Sequence, residues 1–295
     1  MTLLDFVTDI YAPARLNLGP GAEQQLAVAV RRLNAFAGRQ VDLGELSVKL
    51  LTEWLKSLAL KGQSAATING KRSAVLCLWE TAHADGLAPV PPRRKEIPTK
   101  RMPRRLPNSW TVAQMEVIVA KCRLVPGTFR YSGIRKADFL LSLILFQYDT
   151  ATRLAANLAV QPADIDLSTG LVFLRCESAK TGIEQVHWLS EQTVAAIAAH
   201  WDPSREFVWP WGRNRHGLWE ALRGVLKASG LPSDRRSMFH RFRRTTATIL
   251  TGKVGISAAS AALGHTSEAM TRRYVDPSNL SAVRPIDVLP RLQLG

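Results

Sequence analysis

The chain has 295 residues, a length that suggests two domains or one large one, and 46% of them are hydrophobic, which is enough to form a core. No apolar run approaches membrane-spanning length. Lysine and arginine number 39 against 24 acidic residues, and the resulting charge of +15 favours a nucleic-acid partner over a merely soluble basic protein. Three scattered cysteines without metal-ligand spacing, and an N-terminus without a signal-peptide pattern, predict a cytoplasmic protein with reduced thiols and no bound metal.

The first part of the chain has helical periodicity. Apolar residues recur at helical spacing over residues 21–38, 47–62 and 64–86. Ser47 is placed to cap the second of these helices, and glycines end all three. We therefore expect a small helical domain over residues 1–91.

Three polar residues near the start of the third predicted helix are candidates for DNA contact. Asn69, Lys71 and Arg72 stand where a helix can grip or read DNA. The same residues are equally typical of an ordinary polar helix face, so both interpretations stay open.

A strongly basic segment follows. Residues 93–105 read RRKEIPTKRMPRR, with seven basic residues, one acid and two prolines. This composition predicts a linker over residues 92–106 that does not pack as a core element. Arg101, Arg104 and Arg105 are candidates to follow a phosphate backbone, the alternative being a solvated tether.

The remaining residues, 107–295, predict a second domain of mixed type. Residues 111–122 and 136–149 have helical periodicity. Residues 164–190 alternate and contain two glycine turn signals, which predicts three short antiparallel strands. Helices resume from Glu191 to near Tyr274, so the chain as a whole is predicted to be mainly α with a small antiparallel β-sheet.

Four positions in this domain could take part in phosphate chemistry. Arg153 follows Asp149, Thr150 and Thr152, any of which could cap a helix, so it would sit at the positive end of a helix dipole. His240 and Arg243 share a helix face, where an arginine fork grips phosphate and an imidazole moves protons near neutral pH. Lys180 lies at the tip of the predicted hairpin.

Two further candidates follow near the end of the chain. His265 comes directly after Leu263-Gly264, where one helix ends and the next begins. Tyr274 stands nine residues later among charged neighbours, which is an unusual place for a core tyrosine.

The order Arg153, Lys180, His240-x-x-Arg243, Leu263-Gly264-His265 and Tyr274 resembles the tyrosine recombinases, also called phage integrases. The resemblance covers nearly the whole chain, with the first domain similar to the family's core-binding domain and the second to its catalytic domain. Two positions depart from the family pattern. Ala151 stands where glycine is usual, and Ala156, beside Asn157, stands where an acidic residue is common.

The resemblance implies a function and a set of roles. Tyr274 would attack the scissile phosphate and form a 3′-phosphotyrosine link, while Arg153 and Arg243 neutralise the phosphate oxygens. His240 would move the tyrosine proton, His265 would bind the phosphate and Lys180 would protonate the leaving 5′-oxygen. No cofactor or metal is required. The family acts on double-stranded DNA as four protomers on two sites, so a homotetramer is expected.

Some assignments stay open at this point. Arg241 and Arg244 beside the His-x-x-Arg motif would contact the DNA backbone or serve in packing. Apolar residues of the tail, such as Ile286 and Leu292, would dock on a neighbouring protomer or on their own domain. The rival functions are a DNA-binding protein of the same fold that does not cut, and a type IB topoisomerase.

Overall fold

The chain folds into two compact units. A computed structural model describes residues 1–103, 105–177, 182–212 and 214–280. The units divide between Arg105 and Leu106. Both are mainly helical, and the second contains a small antiparallel sheet, which confirms the predicted fold class. No helix in these ranges is both long and apolar enough to cross a membrane.

The first unit is a helical bundle. Its elements are α1 (Leu3–Asp5), which continues into a π-helical turn (Phe6–Tyr11), α2 (Pro20–Ala37), α3 (Val48–Leu60) and α4 (Ala65–Ala84). The hydroxyls of Ser47 and Ser64 accept from backbone N–H groups in the first turns of α3 and α4, as N-caps do. Gly38, with a φ of 72°, ends α2 in the left-handed region. The three helices predicted here are confirmed.

A single apolar core holds this bundle together. One face of α3 is buried through residues a turn apart, namely Leu51, Trp54, Leu55 and Leu58. These side chains pack with Trp79 of α4 and Val30 and Leu33 of α2. The core stabilises helices that would be marginal alone in water.

The basic segment packs on the first unit, which differs from the predicted linker. Ile97 is only 1% exposed and joins the core of the bundle. The Asn69 side chain accepts from the Lys100 N–H at 2.9 Å and donates to the Lys100 carbonyl at 2.8 Å. Burial of the Ile97 side chain offsets the cost of ordering the segment, and the boundary between the units falls after it.

Arg72 is part of this attachment and is not available as a DNA contact, which corrects that prediction. Its Nε donates to the Ile97 carbonyl at 3.0 Å, and its Nη2 donates to the Arg94 carbonyl. The side chain is buried, because it fills the space between α4 and the basic segment. Lys71, one residue earlier, is half-buried, and burial and the nearby Arg32 lower its pKa.

The second unit places its helices around one larger core. They are α5 (Val112–Cys122), α6 (Lys136–Thr150), α7 (Leu154–Asn157), α8 (Glu191–Ala198), α9 (His216–Ala228), α10 (His240–Ala262) and α11 (Glu268–Arg272). The core includes Phe139, Phe146, Trp209 and Phe242. Helices α6 and α10 pack together, and the Thr246 hydroxyl donates to the Tyr148 carbonyl at 2.7 Å.

The sheet has the three antiparallel strands predicted from the sequence. They are β1 (Ile165–Asp166), β2 (Leu171–Leu174) and β3 (Gln185–Trp188), in the order β1-β2-β3. Val172 and Leu174 are buried and pair with His187 and Gln185, so these four residues share the inner face. The outer face exposes apolar side chains, including Phe173, Val186 and Trp188.

We predict that Arg72→Ala destabilises the first unit, whereas Lys71→Ala does not. Removing the guanidinium leaves the buried acceptor at the Ile97 carbonyl and the part-buried one at the Arg94 carbonyl without this donor, which costs about 1–3 kcal/mol. Urea unfolding of the full chain, followed by circular dichroism, would measure the loss. Equal stability of the two variants would contradict the structural role of Arg72.

Candidate active site

His240 and Arg243 lie three positions apart at the start of α10, on one face of the helix. The buried Phe242 between them anchors the helix in the core. Arg243 is only 3% exposed. Its Nη1 donates to the Ala151 carbonyl, and its Nη2 donates to His265 Nε2 at 2.6 Å. Its Nε–H is buried and has no hydrogen-bond partner in the described part of the chain.

The Ala151 carbonyl reaches Arg243 because the chain turns sharply at the end of α6. Ala151 has a φ of 52°, the only positive φ of a non-glycine residue in the described ranges. This left-handed conformation costs an alanine about 1–2 kcal/mol. Its methyl group is buried against Ala247 and Leu263. The departure from glycine noted in the sequence is therefore a strained residue inside the site.

The corner between α10 and α11 fixes His265 in one tautomer. A guanidinium can only donate, so Nε2 accepts from Arg243 and the ring proton lies on Nδ1. Nδ1 is 2.8 Å from the Thr271 hydroxyl, which is 2.7 Å from the Ser260 hydroxyl. Ser260 donates to the Ile256 carbonyl at 2.8 Å, so each hydroxyl has a donor and an acceptor.

Tyr274 follows α11 and lies between the two histidines. The centre of its ring is 5.2 Å from that of His240 and 5.1 Å from that of His265. The guanidinium carbon of Arg243 is 5.1 Å from the same ring centre. The ring packs on the small apolar cluster that contains Ala151.

Arg153 is the N-cap residue of α7, although its side chain makes no capping hydrogen bond. Because that helix has only four residues, the predicted dipole contribution is small. Among the predicted capping residues, Asp149 instead binds the start of α8, whose N-cap is Ser190. It accepts from the Ser190 N–H at 2.8 Å and the Thr193 hydroxyl at 2.6 Å. The loop before Arg153 is fixed by Thr152, whose hydroxyl donates to the buried Asn157.

The site is positively charged, and both histidines are neutral at pH 7. Burial lowers the pKa of His240 to about 4, with further contributions from Arg244, Arg243 and Arg153. Burial also lowers the pKa of His265 to about 4, with contributions from Arg243 and Arg153. Within the described residues, neither Arg153 nor Arg243 forms an ion pair with a carboxylate.

The structure thus brings together five of the predicted site residues: Arg153, His240, Arg243, His265 and Tyr274. Lys180 lies outside the described residues, as do Arg104 and the tail after Leu280. Arg101 and Arg105 are exposed. Among the described residues, no group of three or more His, Cys, Asp or Glu side chains is arranged to hold a metal ion.

The two arginines that flank Arg243 have partners within the protein. The Arg241 guanidinium lies 3.4 Å from the ring centre of Trp110 and donates to the Ser109 carbonyl at 2.9 Å. These contacts favour packing, one of the two roles left open for Arg241, and its contact with DNA stays a prediction. Arg244 donates to the Asn108 side chain at 2.6 Å and is half-buried, so its contact with DNA stays a prediction.

Gln185 and His187 of β3 were not predicted as site residues. The Gln185 side chain lies directly against Gly264, and its Oε1 is 3.2 Å from His187 Nε2. Burial and the charge of Arg243 lower the pKa of His187. The alternation of β3 places both residues on the inner face, but it does not indicate that this face meets the corner at His265.

Comparison with known proteins identifies the family to which this chain is similar. Residues 112–280, more than half of the chain, match the phage integrase family. Tyrosine recombinase XerC of Chlamydia pneumoniae is 26% identical over 284 residues, which cover 91% of this chain and 84% of that protein. The matched region contains all six residues of the predicted catalytic set.

Solved structures with the same fold cover both units. A lambda integrase (75–356) dimer bound to a COC′ core site has a TM-score of 0.70 and 16% identity, with 100% of each chain covered. XerH site-specific recombinase bound to a palindromic difH substrate has a TM-score of 0.67 and 17% identity, with 94% of this chain and 82% of that chain covered. At these identities the likeness shows the fold alone.

We predict that stability falls as the pH is lowered from about 6.5 to about 4. In this window unfolded histidines, with a pKa near 6.5, bind protons that His240 and His265 do not bind in the folded state. Acidification therefore favours unfolding. Urea unfolding at pH 7 and pH 5 measures the effect, and NMR titration should give midpoints near 4 for His240 and His265. Titration midpoints near 6.5 for these two histidines would contradict the buried, positively charged site described above.

We predict that Gly264→Ala destabilises the protein more than Gly230→Ala. Both glycines have a left-handed φ, of 60° and 68°, so backbone strain is matched. A Cβ at 264 would stand 2.7 Å from Gln185 Cδ, whereas one at 230 meets nothing within 4 Å. Adding Gln185→Ala should recover the difference in thermal midpoint between the two variants. No recovery would mean that Gln185 does not contact the corner.

Proposed function

This chain belongs to the phage integrase family, and we propose that it is a site-specific recombinase that cuts and rejoins double-stranded DNA through a covalent link to Tyr274. The observation that carries the proposal is the buried Nε–H of Arg243, which lacks a partner among the described residues and lies beside the ring of a half-buried tyrosine. A buried donor of this kind is costly unless a ligand satisfies it. A phosphate, flanked by Arg153 and Arg243, supplies the missing acceptor and the negative charge.

In the proposed reaction one bond to phosphorus forms as another breaks, and each proton has a named donor and acceptor. The Tyr274 oxygen attacks phosphorus while its proton passes to His240, which is neutral and able to accept it. The bond between phosphorus and the 5′-oxygen breaks, and this oxygen takes a proton from Lys180, an assignment that rests on the family resemblance. The reverse sequence rejoins a strand without ATP, because the phosphotyrosine bond retains the energy of the phosphodiester.

The two arginines and His265 support the transition state. Arg153 and Arg243 neutralise the charge that grows on the phosphate oxygens, and a site shielded from water strengthens this effect. In the tautomer described above, His265 Nε2 accepts from Arg243 and so orients the guanidinium. His265 therefore acts first as a positioning residue for Arg243, and donation to the phosphate requires a proton on Nε2.

DNA is the partner that the charge of the chain favours. The net charge of +15 supports binding to a polyanion, and solved relatives of this fold are bound to DNA. Lys71, Arg101, Arg104, Arg105 and Arg244 are proposed as phosphate contacts, and Arg32 is added because it lies close to Lys71. Assembly as a homotetramer on two DNA sites is proposed from the family resemblance.

We predict that Tyr274→Phe binds DNA but forms no covalent complex, because the nucleophilic oxygen is absent. The assay uses a duplex nicked next to the cleavage point, which traps the covalent product, followed by denaturing gel electrophoresis. Tyr131→Phe, at a tyrosine that is 69% exposed, is the matched control and should behave like the wild type. A covalent band from Tyr274→Phe would refute the assignment, and none from the wild type would favour a DNA-binding protein that does not cut.

A further inference from the structure

The tripeptide Asp-Pro-Ser occurs twice in the second unit, at 202–204 and at 276–278. The two copies make the same local turn. Asp202 Oδ1 accepts from the Ser204 N–H at 3.0 Å and the Ser204 hydroxyl at 2.6 Å. Asp276 Oδ1 accepts from Ser278 in the same way, at 3.0 and 2.6 Å. The turn alone therefore accounts for one oxygen of each carboxylate.

The second oxygen distinguishes the two copies. Asp276 Oδ2 accepts from the Ser109 N–H at 2.7 Å and from the Ser109 hydroxyl at 3.1 Å, across 167 positions of the chain. Asp276 is only 4% exposed. Asp202 is much more exposed, and its Oδ2 pairs with the nearby Arg205 at 3.2 Å. The bond to Ser109 is therefore a feature of the tertiary structure and not of the Asp-Pro-Ser sequence.

The site of attachment is itself well fixed. The Ser109 carbonyl accepts from Arg241, and the Ser109 hydroxyl accepts from the Asn279 side chain at 2.9 Å. The next residue, Trp110, donates its N–H to the Thr245 hydroxyl of α10 at 2.8 Å. Asp276 thus binds the segment just before α5, which is tied to the helix carrying His240 and Arg243.

Asp276 stands two residues after Tyr274, and we propose that it is a positioning residue that holds the tyrosine in the site. On the other side of Tyr274 the chain is held by α11, a helix of five residues, which has little stability of its own. The Asp276 N–H also donates to the Thr248 hydroxyl of α10 at 2.9 Å. The tyrosine is thereby fixed from its C-terminal side to the same helix that supplies the other catalytic groups.

The carboxylate is suited to this role because it is ionised. Burial raises the pKa of Asp276, but hydrogen bonds from Ser278 and Ser109 outweigh burial, and the pKa lies below its ordinary value. Hydrogen bonds to an ionised acceptor are about twice as strong as neutral ones. An asparagine would keep the shape, lose the charge and place an N–H₂ group against donors.

The test compares Asp276→Asn and Ser109→Ala with the matched control Asp202→Asn. The chain has four tyrosines, so incorporation of 3-fluorotyrosine gives a simple ¹⁹F NMR spectrum in which Tyr274→Phe identifies the Tyr274 signal. We expect a shifted or broadened Tyr274 signal in Asp276→Asn and an unchanged one in Asp202→Asn. This measurement does not depend on DNA cleavage.

Activity provides the second readout, and it rests on the proposed function of Tyr274. We expect Asp276→Asn to slow formation of the covalent complex by about 10- to 100-fold, with DNA affinity within about twofold of the wild type, since misplacement of a reacting group by about 1 Å has this scale of effect. Asp202→Asn should cleave at the wild-type rate.

The outcomes separate the two proposals. If the wild type forms no covalent complex, the proposed function fails, and the ¹⁹F spectra still decide whether Asp276 positions Tyr274. A folded Asp276→Asn protein with the wild-type Tyr274 signal and rate would overturn the inference. If that variant does not fold, Ser109→Ala, which keeps the backbone N–H bond, should still shift the signal and slow cleavage about threefold or more, and no change would overturn it.

Discussion

Burial of the Arg243 guanidinium is the constraint on which the candidate site depends. A buried cation needs an acceptor for each N–H, and within the described residues no carboxylate pairs with this one. The Ala151 carbonyl and His265 Nε2 serve two of the nitrogens. The Ala151 carbonyl reaches Arg243 only because the backbone is left-handed at the end of α6, and His265 Nε2 can accept only in the tautomer that the bond to Thr271 stabilises. The ring of Tyr274 lies on the resulting cluster.

This arrangement stores positive charge that the protein does not neutralise. Arg153, Arg243 and Arg244 all act on His240, and together with burial they keep it uncharged at neutral pH. Such a site is less stable than one with paired charges, but it is ready for an anion before the anion arrives. The positive potential that would attract a phosphate is therefore a consequence of the lack of carboxylates paired with Arg153 and Arg243 among the described residues.

The sequence predicted the fold well because its signals are local. Helical periodicity and serine caps placed α3 and α4, and alternation with glycine turns placed the three strands. The order of the catalytic candidates was also sufficient to identify the family. Charge, however, does not show which partner a side chain will meet. From the sequence alone, Arg72 and Arg241 cannot be distinguished from DNA-contacting arginines. In the structure, Arg72 binds the Ile97 carbonyl and Arg241 stacks on Trp110, both distant in the chain.

The residues missed by the sequence have the same explanation. Gln185 becomes part of the site only because β3 meets the corner at Gly264, and Asp149 accepts hydrogen bonds from the start of a helix that begins 42 positions later. Neither contact follows from spacing within one element. The role of Lys180 stays a prediction, since it lies outside the described residues.

The left-handed conformation of Ala151 limits the side chains that this position can hold without loss of stability. A larger residue would enter the space of the Tyr274 ring, and a β-branched one would make the backbone conformation still more costly. Glycine would relieve strain of about 1–2 kcal/mol. It would also remove a buried methyl group worth about 0.8 kcal/mol and gain freedom in the unfolded chain. These effects nearly cancel, so exchange between alanine and glycine should change stability little, whereas nearly every other replacement should destabilise the site.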